Sequence, residues 1–140
     1  MEGAWHMTYV EARNAIVSYF NPKWLTQYPS IPVFYENTVQ IDLDTVGDIF
    51  LTVSIDFTDS QRLDIDAAPA SETFGDVTLR LFTKEGTGTL KTLQVFDWLT
   101  ATMKYRDLGG VTLGCPDPGP KVSKTGWLSS DLYVSFSFYQ

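Results

Sequence analysis

The sequence predicts an α+β domain of two layers, with two helices packed on one face of a mostly antiparallel sheet of four or five strands. Three observations carry that expectation. Apolar and polar residues alternate along 48–57, 76–83 and 126–139, which is the period of a strand half-covered by other structure. Apolar residues spaced three and four apart recur along 12–20 and 90–103, the period of a helix with one buried stripe. The order is helix, strands, helix, strands within 140 residues, a length that suits one domain.

The first helix begins at a capping box, in which Thr8 caps and Glu11 reaches back to it. Ala12, Ala15, Ile16, Tyr19 and Phe20 form its stripe over about 12 residues. Asn21-Pro22 should stop it, because the residue before proline avoids the helical region. Residues 21–32 hold three prolines with Trp24 and Tyr28, and they read as an ordered loop leading to a short edge strand at 31–35. A turn follows at Glu36-Asn37-Thr38. Along 48–57, Ile49, Leu51, Val53, Ile55 and Phe57 alternate with Phe50, Thr52, Ser54 and Asp56.

Residues 58–75 are small, acidic and aperiodic around Pro69, so they read as a long connecting loop with at most a short strand at 63–65. The strand at 76–83, with Val77, Leu79 and Leu81 on one face, is the natural antiparallel partner of 48–57. Thr89 is placed to cap a second helix over about 90–106, with Leu90, Leu93, Phe96, Leu99 and Met103 as its stripe and Gly109-Gly110 as its end. Lys104 and Arg106 then fall in its last turn. A short strand at 111–115, a rigid turn through Pro116, Pro118, Gly119 and Pro120, and a closing strand at 126–139 complete the chain. Met7 stands as a second start, so residues 1–7 are expected to be a non-native or disordered extension, and the domain is expected over 8–140.

Charge is unevenly distributed. Residues 36–76 carry ten acids against one base, Arg62, in a chain whose net charge is −7. Residues 77–140 hold five acids against seven bases. Such a field disfavours nucleic-acid binding, which wants a basic stripe. Aromatic residues are 14% of the chain, enough to fill a core and supply an interface as well.

Catalytic signals are few. The one histidine, His6, falls in the expected extension, and the one cysteine, Cys115, has no histidine in the domain to activate it. The pairs Asp42/Asp44 and Asp64/Asp66 have the oxygen chemistry of a hard-cation site but no glycine-hinged calcium loop around them. The 84–89 segment lacks the spacing of a phosphate-cradling loop. These residues favour a structural or interaction protein that is not an enzyme and carries no cofactor or metal. The long 58–75 segment is its expected contact element, with Asp59, Arg62 and Leu63 as partner-interface candidates.

The layout as a whole resembles the tail terminator (tail completion) proteins of long-tailed bacteriophages. The resemblance covers about 8–140 and rests on the capped first helix, the Pro32-Val33-Phe34-Tyr35-Glu36-Asn37 string and the strand at 48–56. It rests further on Phe74-Gly75-Asp76 opening the next strand, on Gly86-Thr87-Gly88 before the second helix and on the strand after Trp127. That family implies a ring, usually hexameric, in the head-proximal part of the virion tail. The ring caps the tail-tube protein, stops its polymerisation and meets the head-tail connector or stopper, while the genome passes through the hole and no membrane is involved. In such a ring Asp42, Asp44, Asp64 and Asp66 are the residues expected to face the lumen. The alternatives are another tail-tube or neck subunit, a small acidic binding module, or an enzyme using the Asp-x-Asp pairs.

Overall fold

The computed structural model describes residues 6–36, 41, 42, 45–65 and 68–140, leaving aside the side chains of 63–70. Among the described residues it is an α+β fold of two helices and one open six-stranded sheet of mixed direction. Helix α1 is Tyr9–Gln27, strand β1 is Val33–Tyr35, and β2 is Ile49–Ile65. Strand β3 is Ala68–Lys84, α2 is Leu90–Met103, β4 is Thr112–Leu113, β5 is Asp117–Lys124, and β6 is Trp127–Tyr139. The sheet runs β1-β2-β3-β6-β4, with β5 also paired to β6. Every pairing is antiparallel except β1 with β2.

The sheet is wider than four or five strands for two reasons. The proline-rich 116–120 stretch forms no free turn: it enters β5, an edge strand where missing N–H groups leave no central ladder bond unmade. The turn back into β6 is the two-residue loop Thr125-Gly126, both with positive φ (51° and 83°), as a tight hairpin with right-handed twist requires.

Helix α1 starts as the capping box predicts. The Glu11 N–H donates to the Thr8 hydroxyl (3.1 Å), and the Thr8 N–H donates to the Glu11 carboxylate (2.9 Å). It does not end at Asn21-Pro22 but runs through Pro22 to Gln27. A proline inside a helix costs about 3 kcal/mol. The turn beyond it buries Trp24 completely, stacked at 5.7 Å on Phe20 and donating Nε1–H to the Ile31 carbonyl (3.0 Å). Burying one such side chain is worth about 1.5–3 kcal/mol, enough with its neighbours to carry the helix past the proline.

Helix α2 is shorter than its periodicity promised. Its buried residues are Thr92, Val95, Leu99 and Met103, while Leu90 and Leu93 are exposed. The chain leaves the helix after Met103, and Tyr105 takes a left-handed conformation (φ 55°). Lys104 and Arg106 therefore lie beyond the last turn. Gly109-Gly110 caps no helix but forms the tip of a small turn, where both N–H groups donate to the Asp107 carboxylate. Thr89 offers α2 no side-chain cap.

One core joins both helices to one face of the sheet. Ala12, Ile16, Phe20 and Trp24 of α1 and Val95, Leu99 and Met103 of α2 pack with Leu51, Val53, Val77, Leu79, Leu81, Leu132, Val134 and Phe136. Register explains the choice: Leu51 faces Leu81, Val53 faces Leu79, and Leu79 in turn faces Leu132, so the apolar positions of three strands line one side. Met7, at the edge of the expected extension, belongs to this body. Its N–H donates to the Tyr139 carbonyl (2.7 Å), and its side chain packs against the core.

The stretch 58–75 is the largest departure from expectation. It is not a loop but the outer part of a β2–β3 hairpin whose ladder is continuous from Ile49↔Thr83 to Ile65↔Ala68, apart from one bulge at Thr58. β6 pairs β3 only from Glu72 onward, and β1 pairs β2 only from Val33↔Leu51 to Tyr35↔Val53. The hairpin thus runs out of the sheet as a two-stranded arm.

Candidate interaction surface

Phe57 sits at the rim of the covered sheet, beside the buried Thr73 and Phe138. Its ring meets Tyr9 of α1 at 4.7 Å and Phe136 at 5.7 Å, both edge-on. Opposite it, Gly75 leaves the space that Phe136 fills. A Cβ on Gly75 would lie 2.4 Å from the Phe136 ring and 2.3 Å from the Asp56 carbonyl oxygen. Immediately beyond, Thr58 is the extra residue of the bulge, so Asp59 rather than Thr58 faces Phe74. The extra residue shifts the alternation. Odd-numbered residues of β2 face the helices up to Phe57, and even-numbered ones share that side from Ser60 onward.

On that side the apolar stripe gives way to a polar chain. Ser60 shares a hydrogen bond with the Thr73 hydroxyl (3.0 Å), which donates to the Gln140 side-chain oxygen (2.8 Å). The opposite side is acidic. Asp56 and Asp76 face each other directly, and Asp59 and Glu72 follow along the ladder. Like charges directly opposite one another destabilise a strand pair. No cation or donor reaches Asp56 or Asp76 among the described residues.

The predicted residues fall in two places. Asp59, Arg62, Leu63 and Asp64 lie in succession on β2 beyond the bulge, opposite Phe74, Ser71, Ala70 and Pro69. Asp59 and Arg62 are exposed, and the Asp59 carboxylate accepts the Ser60 N–H (2.8 Å). Asp64 is therefore strand-borne, not loop-borne. Asp42 is exposed in the segment before β2, its carbonyl accepting from Thr45, so it does not share the arm with Asp64. Asp44 and Asp66 lie outside the described residues, as do Asn37 and Thr38 of the expected turn.

Nearer the body, the helix-free face carries two groups the sequence did not mark. Asp131, 4% exposed, accepts both arms of the Arg80 guanidinium (Nε 2.6 Å, Nη2 2.9 Å) and the Tyr133 hydroxyl (3.1 Å). The bond to Asp131 raises the pKa of both Arg80 and Tyr133. Further along, Phe50 is buried at 2% exposure although no helix covers it. Phe82 stacks on it at 4.6 Å, and Phe34 and Trp127 meet it edge-on. Only the register of β1, β2, β3 and β6 brings these residues together.

Between the helices lies a groove of about 530 Å³ lined by Tyr19, Lys23, Trp98, Thr102 and Arg106 among others. The Tyr19 hydroxyl donates to the Thr102 carbonyl (2.7 Å), and Lys23 Nζ sits 4.0 Å over the Tyr19 ring. Arg106 donates to the carbonyls of Thr102 and Ala101. Cys115 is exposed on the other side of the molecule, in a shallow pocket with Asp76, Asp117 and Tyr133. No group of three or more His, Cys, Asp or Glu residues placed to hold a metal occurs among the described residues. No helix among them is long and apolar enough to cross a membrane.

No protein-family model matches the sequence, and no curated protein matches it. Solved structures do resemble it in fold. One of them covers 94% of this chain and 96% of its own length, with a TM-score of 0.71 at 14% sequence identity. That similarity establishes the α+β architecture over nearly the whole chain.

Proposed function

We propose that this chain is a structural, non-catalytic subunit of the phage tail terminator type. Copies form a ring of six that caps the tail tube, stops its growth and meets the head-proximal connector. The observation that carries this reading is the two-stranded arm. A bare hairpin is marginal in water, yet here the β2–β3 ladder runs on to Ile65↔Ala68, past Ser71 and Gln140, the last residues to exchange backbone hydrogen bonds with the C-terminal strand. An element of that kind gains its stability from a neighbour. The concentration of acid on the arm and in 36–76 suits a conduit through which a polyanion must slide without sticking, with Asp42 and Asp64 among the residues expected to line it.

Native mass measurement with negative-stain imaging tests the reading. Closed rings of several copies with a central hole are expected. Open tubes that keep growing identify a tube subunit, and a monomer at all concentrations identifies a small binding module. Replacing Asp42 and Asp64 with lysine should leave rings that form but retain duplex DNA at low salt. Rings that bind no DNA place these residues off the channel.

A further inference from the structure

We infer that the groove between α1 and α2 receives the acidic strip at the base of the β2–β3 arm, Asp56, Asp76, Asp59 and Glu72, of a second copy of this chain, head to tail. The contact deepens the ring reading and rests on it. The groove is cationic in an acidic protein: no carboxylate belongs to its lining, and none pairs with Lys23 or Arg106 among the described residues. Its floor is aromatic, with Tyr19 and Trp98 both half-buried, a surface that offers large contact area at little entropic cost. Arg106 keeps guanidinium donors beyond the two it gives to the end of α2.

The base of the arm has the complementary need. Asp56 and Asp76 repel across the ladder, Asp59 and Glu72 add to the same side, and no described residue of their own chain neutralises Asp56 or Asp76. Cations from outside relieve that repulsion and so favour a bound arm over a free one.

Placement makes the contact intermolecular. The arm begins beneath Tyr9, in the first turn of α1, and the groove lies around Lys23, fourteen residues further along the same helix. At 1.5 Å per residue the base of the arm and the groove are about 21 Å apart along α1, and the carboxylates lie on the face of the sheet away from the helices. A copy cannot fill its own groove. Two different surfaces at opposite ends of one subunit make a heterologous contact, which closes into a ring when the rotation allows.

A charge exchange tests this. One variant carries Lys23→Glu with Arg106→Glu, the other Asp56→Lys with Asp76→Lys, and both are first checked for an intact melting transition. Each alone should lose the assembled mass of the unmodified protein, with the dissociation constant raised at least about tenfold. Mixed one to one, they should recover it, because each reversed groove then meets a reversed arm. Assembly of the unmodified protein should weaken as salt rises from about 0.1 M to about 1 M. Rings that persist in both variants overturn this contact and leave the ring reading standing. Folded variants that stay apart when mixed also overturn it. A groove variant that still forms rings but no longer attaches to tail tubes assigns the groove to a different protein's acidic segment. An unmodified protein that never assembles overturns both the contact and the ring.

Discussion

The near half of the β2–β3 hairpin, 49–57 with 75–84, and the far half, 59–65 with 68–74, belong to one ladder but are held by different forces. In the near half each strand has a second neighbour over part of its length, and the core closes over Leu51, Val53, Leu79 and Leu81. In the far half Thr73 is buried with Phe138, Ser71 still exchanges backbone hydrogen bonds with Gln140, and only the pairs from Leu63↔Ala70 outward have no third strand beside them. Backbone pairing continues by extension of a register that the core has already set. Burial decides where the fold is stable, and hydrogen bonding alone decides how far the hairpin reaches.

The largest expected effect lies in the near half. Leu79→Ala should cost about 2–5 kcal/mol and lower the denaturation midpoint accordingly. A midpoint within error of the unmodified protein would place Leu79 outside the core. Gly75→Ala comes next, at the boundary. Its new methyl group meets a backbone oxygen that cannot move aside, so a loss of about 1–3 kcal/mol is expected in chemical denaturation. A neutral result would mean that Phe136 does not occupy that space.

The third prediction turns on pH. Burial pushes the Tyr35 hydroxyl up to about 12 from 10.0, against a smaller opposing pull from Arg13. The folded state therefore holds this proton where the unfolded chain has released it. The resulting stability is fully present below about pH 10 and is lost as pH rises toward about 12. Melting temperature should fall across that interval, and Tyr35→Phe should flatten part of the fall. The same slope in both proteins would exclude Tyr35 as its source. Smallest is the far half itself. Asp59→Ala should change stability by no more than about 0.5 kcal/mol, while amides of the outer ladder exchange with solvent well before those of 77–81. Equal protection in the two halves of the isolated protein would erase the contrast.

Strict alternation made the near half legible. Leu51, Val53, Leu79 and Phe136 were placed correctly because one side of each strand had to be apolar. The far half carried no such signal: with small, acidic and scattered apolar residues around Pro69 and no sustained alternation, a strand there looks the same as a loop. Pro22 misled for a different reason, since a local rule against helix lost to the burial of Trp24. Leu90 and Leu93 misled because several helical stripes fit α2 and only packing selects Thr92, Val95, Leu99 and Met103. The acidic character of the arm was visible as composition. The confrontation of Asp56 with Asp76 needed the register. The groove needed two helices brought together, with Tyr19 bonded to Thr102 across 83 positions of sequence.

The bulge at Thr58 separates two kinds of freedom. Residues added or removed on the body side would throw the apolar stripe of β2 onto the wrong face. Residues added in matched pairs at the tip would leave everything before Phe57 in register and simply lengthen the arm, by about 3.3 Å for each pair. The reach of the protein toward a neighbour can thus be adjusted like the throw of a bolt, while the lock that holds it stays the same.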